Sequence, residues 1–306
     1  MSALETQLLV VVGPTASGKT ELAVRLAEEL GGEVISADSI QIYRKFDIGS
    51  GKPTTAELAR ARHHLIDAID PDEAMDAARW AELADRLIAD VRQRGCVPII
   101  CGGTFLWVRA LLFGLAEAPP ANDRIRQRHQ SLVDTEGRDA LHAELARVDS
   151  LCAERLAPND FVRVSRALEV FELTGIPMSE WQQRHGFREP RHRARLIGLA
   201  RGRDELDGRI GARVDAMFAA GWIEEVRRLV TEGYADARPM RSVGYRQILE
   251  ALRAEGPLDP ELRDKVYRAT RVFARRQRTW LRDQPVCWID PREIASTGLR
   301  GLAFRD

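Results

Sequence analysis

Leu8-Leu9-Val10-Val11-Val12-Gly13-Pro14-Thr15-Ala16-Ser17-Gly18-Lys19-Thr20, continued by Glu21 to Leu30, is the stretch whose reading decides the fold. Five apolar residues, three of them β-branched, suit a buried strand, and Glu21 to Leu30 carries a helical pattern. Between them Gly13 to Thr20 matches the phosphate-binding loop pattern in full. A strand that breaks into such a loop and then a helix turns several backbone N–H groups inward, where the helix N-terminus also favours negative charge. Lys19 adds a cation, and the Thr20 hydroxyl is placed to bind a magnesium ion, Mg2+, carried by the phosphates. The alternative is a glycine-rich turn that only closes a strand-helix junction. The loop announces a diphosphate or polyphosphate, but not what is attached to it.

Outward from this stretch, Glu33 to Ala37 and Val97 to Cys101 repeat the short apolar pattern of buried parallel strands, and Trp80 to Arg92 reads as a helix. At Ala118 to Asn122 the composition changes, with Pro119 and Pro120 as punctuation. Charged amphipathic segments follow, with a helix start at Pro158-Asn159-Asp160 and a stop at Thr174-Gly175-Ile176-Pro177. Arg195 to Ala200 resumes a strand pattern, helices run on to Asp283, and Val286 to Asp290 forms a last strand. The expected fold class is α/β: a phosphate-loop core with a mostly parallel sheet flanked by helices, plus an all-helical insertion domain. The core is expected to be discontinuous, with residues 1–121 as its first part, 122–190 as the insertion, and 191–306 as its second part.

Composition excludes several classes. The 306 residues hold 46 basic and 46 acidic side chains, so no net field draws the molecule to nucleic acid or membrane. Any such attraction must come from local clustering. The four cysteines have no paired metal-ligand spacing, the N-terminus lacks an export signal, and no apolar stretch approaches membrane-spanning length. A reduced, cytoplasmic protein without structural zinc or membrane contact is expected. Clustering does occur: Arg268, Arg271, Arg275, Arg278 and Arg282 fall three and four apart, one stripe of a helix, with Val266, Phe273, Trp280 and Leu281 mainly on the other side. The nearest acidic residues in sequence are Asp264 and Asp283, at its ends. A solvated face is one reading and an anionic partner, a nucleic acid held at one face, the other.

Kinases of this fold usually carry an Asp at the end of a neighbouring strand to support magnesium, but Val97 to Cys101 ends in Gly102-Gly103-Thr104. Asp38, after the Glu33 to Ala37 run, is the better-placed carboxylate if its strand neighbours that of the loop. It suits metal orientation, acceptance of a hydroxyl or amine proton, or simply a turn cap.

Further blocks carry a resemblance. Asp38-Ser39-Ile40-Gln41-Ile42-Tyr43, Asp47 to Pro53, His63 to Asp67, Gly102-Gly103-Thr104, Pro158-Asn159-Asp160 with Arg163, Arg166 and Glu169, Arg241 to Arg246 and Arg275 to Arg282 stand in the order of the tRNA dimethylallyltransferase (isopentenyltransferase) family, bacterial type, and together resemble it over nearly the whole chain. The resemblance implies an enzyme that transfers a dimethylallyl group from dimethylallyl diphosphate to the exocyclic N6 of the adenosine just 3′ of the anticodon, in tRNAs that read codons beginning with U. It implies Asp38, Arg241 and Thr104 as catalytic residues, and Gly13, Pro14, Thr15, Ala16, Ser17, Gly18, Lys19 and Thr20 as the diphosphate cradle. It implies tRNA contacts at Asp38, Ser39, Ile40, Gln41, Thr104 and Arg126, at Val162, Arg163, Val164, Ser165 and Arg166, and at Arg241, Ser242, Val243, Gly244, Tyr245 and Arg246. The last such stretch is Arg275, Arg276, Gln277, Arg278, Thr279, Trp280, Leu281 and Arg282. A monomer acting on tRNA and prenyl diphosphate is expected.

The chain departs from the family pattern at Trp107, where tyrosine is usual, and at Gly51, where alanine is usual; the second is expected to leave the chemistry untouched. His63 and His64 read as structural or substrate-orienting, and the tryptophans at 80, 181, 222 and 288 as packing residues. Two other functions fit parts of the chain: a phosphate-loop kinase, which leaves the arginine stripe unexplained, and an RNA-binding module with a lapsed loop, which leaves Lys19, Thr20 and Asp38 unexplained.

Overall fold

The computed structural model describes residues 7–186, 189–254, 259–294, 298, 299 and 301. Met1 to Thr6, on which the absence of an export signal was partly read, lie outside the described residues. The chain divides into two compact units, Met1–Leu112 with Arg191–Asp306, and Phe113–Pro190.

The first unit is built on a six-stranded sheet: β1 (Leu8–Val12), β2 (Gly32–Ser36), β3 (His63–His64), β4 (Val97–Gly102), β5 (Ala194–Leu199) and β6 (Val286–Ile289), in the order β3-β2-β4-β1-β5-β6. Every pairing is parallel. All five residues of β1 are buried, as a central strand covered on both faces requires. Helix α1 (Lys19–Leu30) lays Leu22, Ala23, Leu26 and Ala27 on one face, against Leu9, Val11, Ile99 and Ile197. Gly31, in the left-handed region at φ 63°, ends it. Between β2 and β3 lies α2 (Thr55–Arg60), opened by a capping box in which Thr54 and Glu57 exchange side-chain and backbone bonds. Helix α3 (Ala77–Gln93), capped by Asp76, buries Trp80, Ala84 and Ile88. Trp80 donates its indole N–H to the Ser36 carbonyl at 3.0 Å and stacks on Trp107 of α4 (Phe105–Phe113) at 5.3 Å. The residue that replaces the usual tyrosine is therefore a buried packing partner.

Strand order corrects one expectation. β2 does not neighbour β1, because β4 pairs with both and lies between them. Asp38 thus stands two strand spacings from the loop, about 10 Å.

The second unit is all helical: α5 (Asp123–Glu136), α6 (Arg138–Val148), α7 (Ser150–Arg155), α8 (Phe161–Thr174) and α9 (Met178–His185). Its core joins Leu141, Leu145, Cys152, Ala153, Val164 and Leu168. Asp160 caps α8 and Gly175 ends it in the left-handed region, as the flanking sequence signals predict. The C-terminal part of the first unit carries α10 (Arg203–Ala219), α11 (Trp222–Thr231), a 3₁₀ turn (Arg238–Arg241), α12 (Tyr245–Arg253) and α13 (Leu262–Leu281). No helix among the described residues is long and apolar enough to cross a membrane.

Candidate active site

The loop after β1 is strained into its working shape, with Ala16 at φ 63° and Gly18 at φ 96°. Ser17 closes the turn by donating its N–H to the Pro14 carbonyl at 3.2 Å, and its buried hydroxyl has no hydrogen-bond partner among the described residues. Outside the loop, two guanidiniums hold carbonyls away from the interior: Arg209 Nε donates to Ala16 O at 2.7 Å and Arg201 Nε to Ser17 O at 2.6 Å. With the Ser17 carbonyl tied outward, the Gly18 amide of the same peptide is left facing in, the kind of donor that binds an anion.

Inside, burial pushes the Lys19 ammonium down from its ordinary pKa, opposed by nearby Cys101 and Asp38 and assisted by Arg213. Burial likewise lowers Arg213, while Asp38 and Glu57 pull the other way. The Cys101 thiol, buried against the Lys19 carbonyl at 3.6 Å, is pushed up to about 12 and stays protonated. Two desolvated cations outnumber the one carboxylate that acts on both, which leaves positive charge for an anionic ligand to neutralise.

Arg213 is the functional residue that sequence reasoning missed. Its guanidinium occupies the place where a Cβ on Gly51 would stand, and Gly51 itself sits at φ 58°. The expectation that glycine for alanine here leaves the chemistry untouched is therefore corrected: the missing methyl is the room Arg213 uses. A signal did exist. Arg209 and Arg213 each immediately precede a buried residue, Ile210 and Val214, of the stripe that docks α10, so both lie beside its buried face.

Asp38 Oδ1 accepts from the Ile40 N–H at 2.9 Å and the Gln41 N–H at 3.3 Å, so the turn-capping reading holds for one oxygen. Oδ2 has no protein partner among the described residues. Thr104 fixes the same turn, its hydroxyl accepting from Ser39 N at 3.0 Å and its own N–H donating to Ala37 O at 3.1 Å. Between Asp38 and the loop, Gly102 and Gly103 pave the end of β4. A Cβ on Gly102 would strike the Ala37 backbone, and one on Gly103 would strike Gln277. Gly102 thus lets the end of β4 approach the backbone before Asp38, and Gly103 leaves the room that the Gln277 side chain fills.

Gln277, expected at the RNA, is found on the loop. Its Oε1 accepts from Thr15 N at 2.8 Å and its Nε2 donates to Gly103 O at 3.0 Å, so α13 clamps the loop to the end of β4. The rest of α13 also departs from expectation. Leu262, Val266, Ala274 and Leu281 dock it, whereas Phe273 and Trp280 are exposed. Arg271 pairs with Asp207 of α10 and Arg268 with Glu261, so the stripe left without acidic partners among the described residues is Arg275, Arg278 and Arg282. Asp207 lies 64 residues away in sequence, beyond the reach of any local charge pattern.

The other expected stretches divide by face, since a helix cannot turn every side chain to one ligand. Tyr245 is fully buried and donates its hydroxyl to Glu225, while Arg241 and Arg246 are exposed. Arg241, expected to reach the leaving group, is the exposed last residue of a 3₁₀ turn whose Pro239 and Met240 are buried; the arginine buried near Asp38 is Arg213. Glu225, itself buried, also accepts from the amides of Asp47, Ile48 and Gly49, and Trp222 fills the space left by Gly49 and Gly244. This fixes the Asp47 to Lys52 loop that carries Gly51; Gln41 ties the same loop to the Asp38 turn through Gly51 O at 2.9 Å.

In the helical unit Val164 and Ser165 are buried, while Val162 and Arg163 face outward. Arg126 and Arg166 both hold Glu169, which is fully buried. Burial opposes ionisation of Glu169, yet the two guanidiniums and the Asn122 amide outweigh it and keep its pKa below the ordinary value. On the far edge of the sheet, His64 bonds Glu33 at 2.5 Å and His63 the Ala61 carbonyl at 2.7 Å, a structural use of both.

Thr20 supplies a hydroxyl oxygen, the type of ligand magnesium takes alongside substrate phosphates. β4 next to the loop ends without a carboxylate, unlike the kinase arrangement.

Fold and site together define an α/β phosphate-loop protein built to hold a polyphosphate opposite a carboxylate. Comparison with known proteins narrows this. Residues 41–284 match the model of the IPP transferase family. The tRNA dimethylallyltransferase of Sorangium cellulosum is 62% identical over 92% of this chain and 90% of its own length. Among solved structures, the tRNA isopentenylpyrophosphate transferase of Bacillus halodurans is similar with a TM-score of 0.68 at 37% identity, covering 93% of this chain and 89% of that one. A eukaryotic dimethylallyltransferase, described as acting on tRNA, is similar with a TM-score of 0.71 at 25% identity over 90% of this chain and 70% of its own. The chain belongs to the IPP transferase family.

Proposed function

We propose that this chain is a tRNA dimethylallyltransferase that moves the dimethylallyl group of dimethylallyl diphosphate to N6 of the adenosine immediately 3′ of the anticodon, in tRNAs reading codons that begin with U, acting as a cytoplasmic monomer. One observation carries the reading: Lys19 at the end of the loop and Arg213 packed on Gly51 are both desolvated and both close enough to Asp38 for its charge to act on them. A gap of about 10 Å between carboxylate and loop leaves room for a diphosphate and the carbon it leaves.

In this reading the allylic C–O bond breaks as the N6–carbon bond forms, and the electron pair departs with the diphosphate. Charge growing on that group is met by the loop amides, Lys19 and Arg213, already oriented before reaction. The adenine amine is a weak nucleophile, because its lone pair is delocalised. Asp38 Oδ2 holds its N–H, aims the nitrogen, and accepts the proton as the bond forms. Thr20 would hold Mg2+ with the diphosphate, and the ion would supply further neutralisation of the leaving group. Exposed Arg241, Arg246, Arg275, Arg278 and Arg282 give affinity and register on the RNA backbone rather than base choice.

The test is incubation with labelled dimethylallyl diphosphate, magnesium and unmodified tRNA. Label should enter the RNA. Asp38→Asn, which keeps the Oδ1 cap, should lose roughly 10²- to 10⁴-fold in turnover with tRNA binding retained. No transfer by the parent enzyme, with rapid ATP turnover instead, would favour a kinase.

A further inference from the structure

Beside the phosphate loop, and sharing Pro14 and Ser17 as part of its wall, lies a cleft of about 1160 Å³. Eight arginines and two aspartates line it. The aspartates are already engaged, Asp207 with Arg271 and Asp290 with Arg292, while Arg201 pairs with Glu205 and Arg268 with Glu261. Arg203, Arg275, Arg278 and Arg282 remain without acidic partners among the described residues. Along α13 the last three rise by about 4.5 Å and about 6 Å, a spacing on the scale of successive phosphates in an extended strand.

Across from them stands Trp288, which the sequence suggests is a packing residue. Its indole lies on Gly198, where a Cβ would come within 2.7 Å of the ring, and yet it is 44% exposed. A large, half-exposed apolar ring backed by a glycine and lining a cationic cleft is what stacking of a nucleobase needs. The volume exceeds the usual range of small-molecule pockets, about 300–1,000 Å³, which argues for a strand rather than a single nucleotide.

We propose that this cleft holds the unpaired nucleotides of the RNA substrate that flank the alkylated base, with phosphates on Arg203, Arg275, Arg278 and Arg282 and one base stacked on Trp288. The proposal rests on the RNA-modifying reading, and places Arg203, at the start of α10, and Trp288, on β6, in the RNA interface. Shared walls with the loop place a strand so held beside it, on its β5 and β6 side.

The test uses the full-length enzyme, unmodified tRNA and an anticodon stem-loop hairpin of the same sequence. Trp288→Ala should weaken binding of both RNAs about tenfold, and Trp288→Phe should restore most of it. Arg203→Ala should reduce the slope of log affinity against log salt by about 0.7. A hairpin carrying 4-thiouridine in its loop should crosslink to the peptide containing Trp288. If the parent enzyme prenylates tRNA but these variants bind with unchanged affinity and salt slope, or if the cleft instead takes a free nucleoside triphosphate with RNA affinity unaffected, the cleft proposal fails alone. Absence of transfer to any RNA by the parent would overturn the functional reading on which it rests.

Discussion

Gln277 gives the sharpest test of how the site is assembled. Its two hydrogen bonds, from Thr15 N and to Gly103 O, tie the phosphate loop to the end of β4 through a helix 262 residues from the loop in sequence. Gln277→Met keeps the length and removes both bonds. A hydrogen bond between neutral groups contributes about 1 kcal/mol net, so about 2 kcal/mol of loop organisation is lost. If that loss falls on donor binding, the affinity for dimethylallyl diphosphate drops about 30-fold. Gln277→Glu keeps the acceptor for Thr15 but opposes a carboxylate to the Gly103 carbonyl, and should bind the donor no better. The assay compares KM for the prenyl donor with Kd for tRNA by filter binding. Donor KM should rise about 30-fold while tRNA Kd moves less than about threefold. The reverse pattern, tRNA affinity lost with donor KM intact, would return Gln277 to the RNA face and refute the clamp.

Two further outcomes are expected. Gly51→Ala places a methyl where the Arg213 guanidinium lies and forces a side chain into a left-handed backbone, so donor KM should rise about tenfold with tRNA affinity unchanged, and an unaltered KM would remove Arg213 from donor binding. Glu33 is held at about 2 instead of the ordinary 4.5, chiefly by Arg94, against the cost of burial and with help from His64; its stabilisation, up to about 3 kcal/mol, is complete above pH 4.5 and lost as pH falls toward 2. Urea unfolding of Glu33→Gln across that window should show a flatter acid loss than the parent, and parallel curves would count against it.

The loop and most strands were legible because each depends on local pattern. β1 coincides with the apolar run Leu8 to Val12, and β5 lies within one residue of the run read as Arg195 to Ala200. His63-His64 was not legible as a strand: two polar residues carry no period, and only pairing with Val34 and Ile35 makes them one. The arginine stripe was half legible. Its spacing is in the sequence, but the carboxylate that claims Arg271 comes from α10, and which residues dock the helix depends on its rotation against the core. Arg213 escaped notice because α10 is crowded with charge, and nothing in its spacing marks the one guanidinium that meets Gly51.

The amino-acid order alone therefore settled that a phosphate-cradling loop joins strand to helix, that an apolar parallel sheet carries it, and, through motifs in family order, which family it resembles; these are properties of short segments and of their succession. What only tertiary structure decided is the placement of β4 between β1 and β2, the close approach of Gly102 to the Ala37 backbone that this brings, the entry of Arg213 beside Lys19, and the grip of Gln277 on Thr15. Each of these is a meeting of segments far apart in the chain, and such meetings are selected by which faces can be buried together, a quantity that no single stretch of sequence contains.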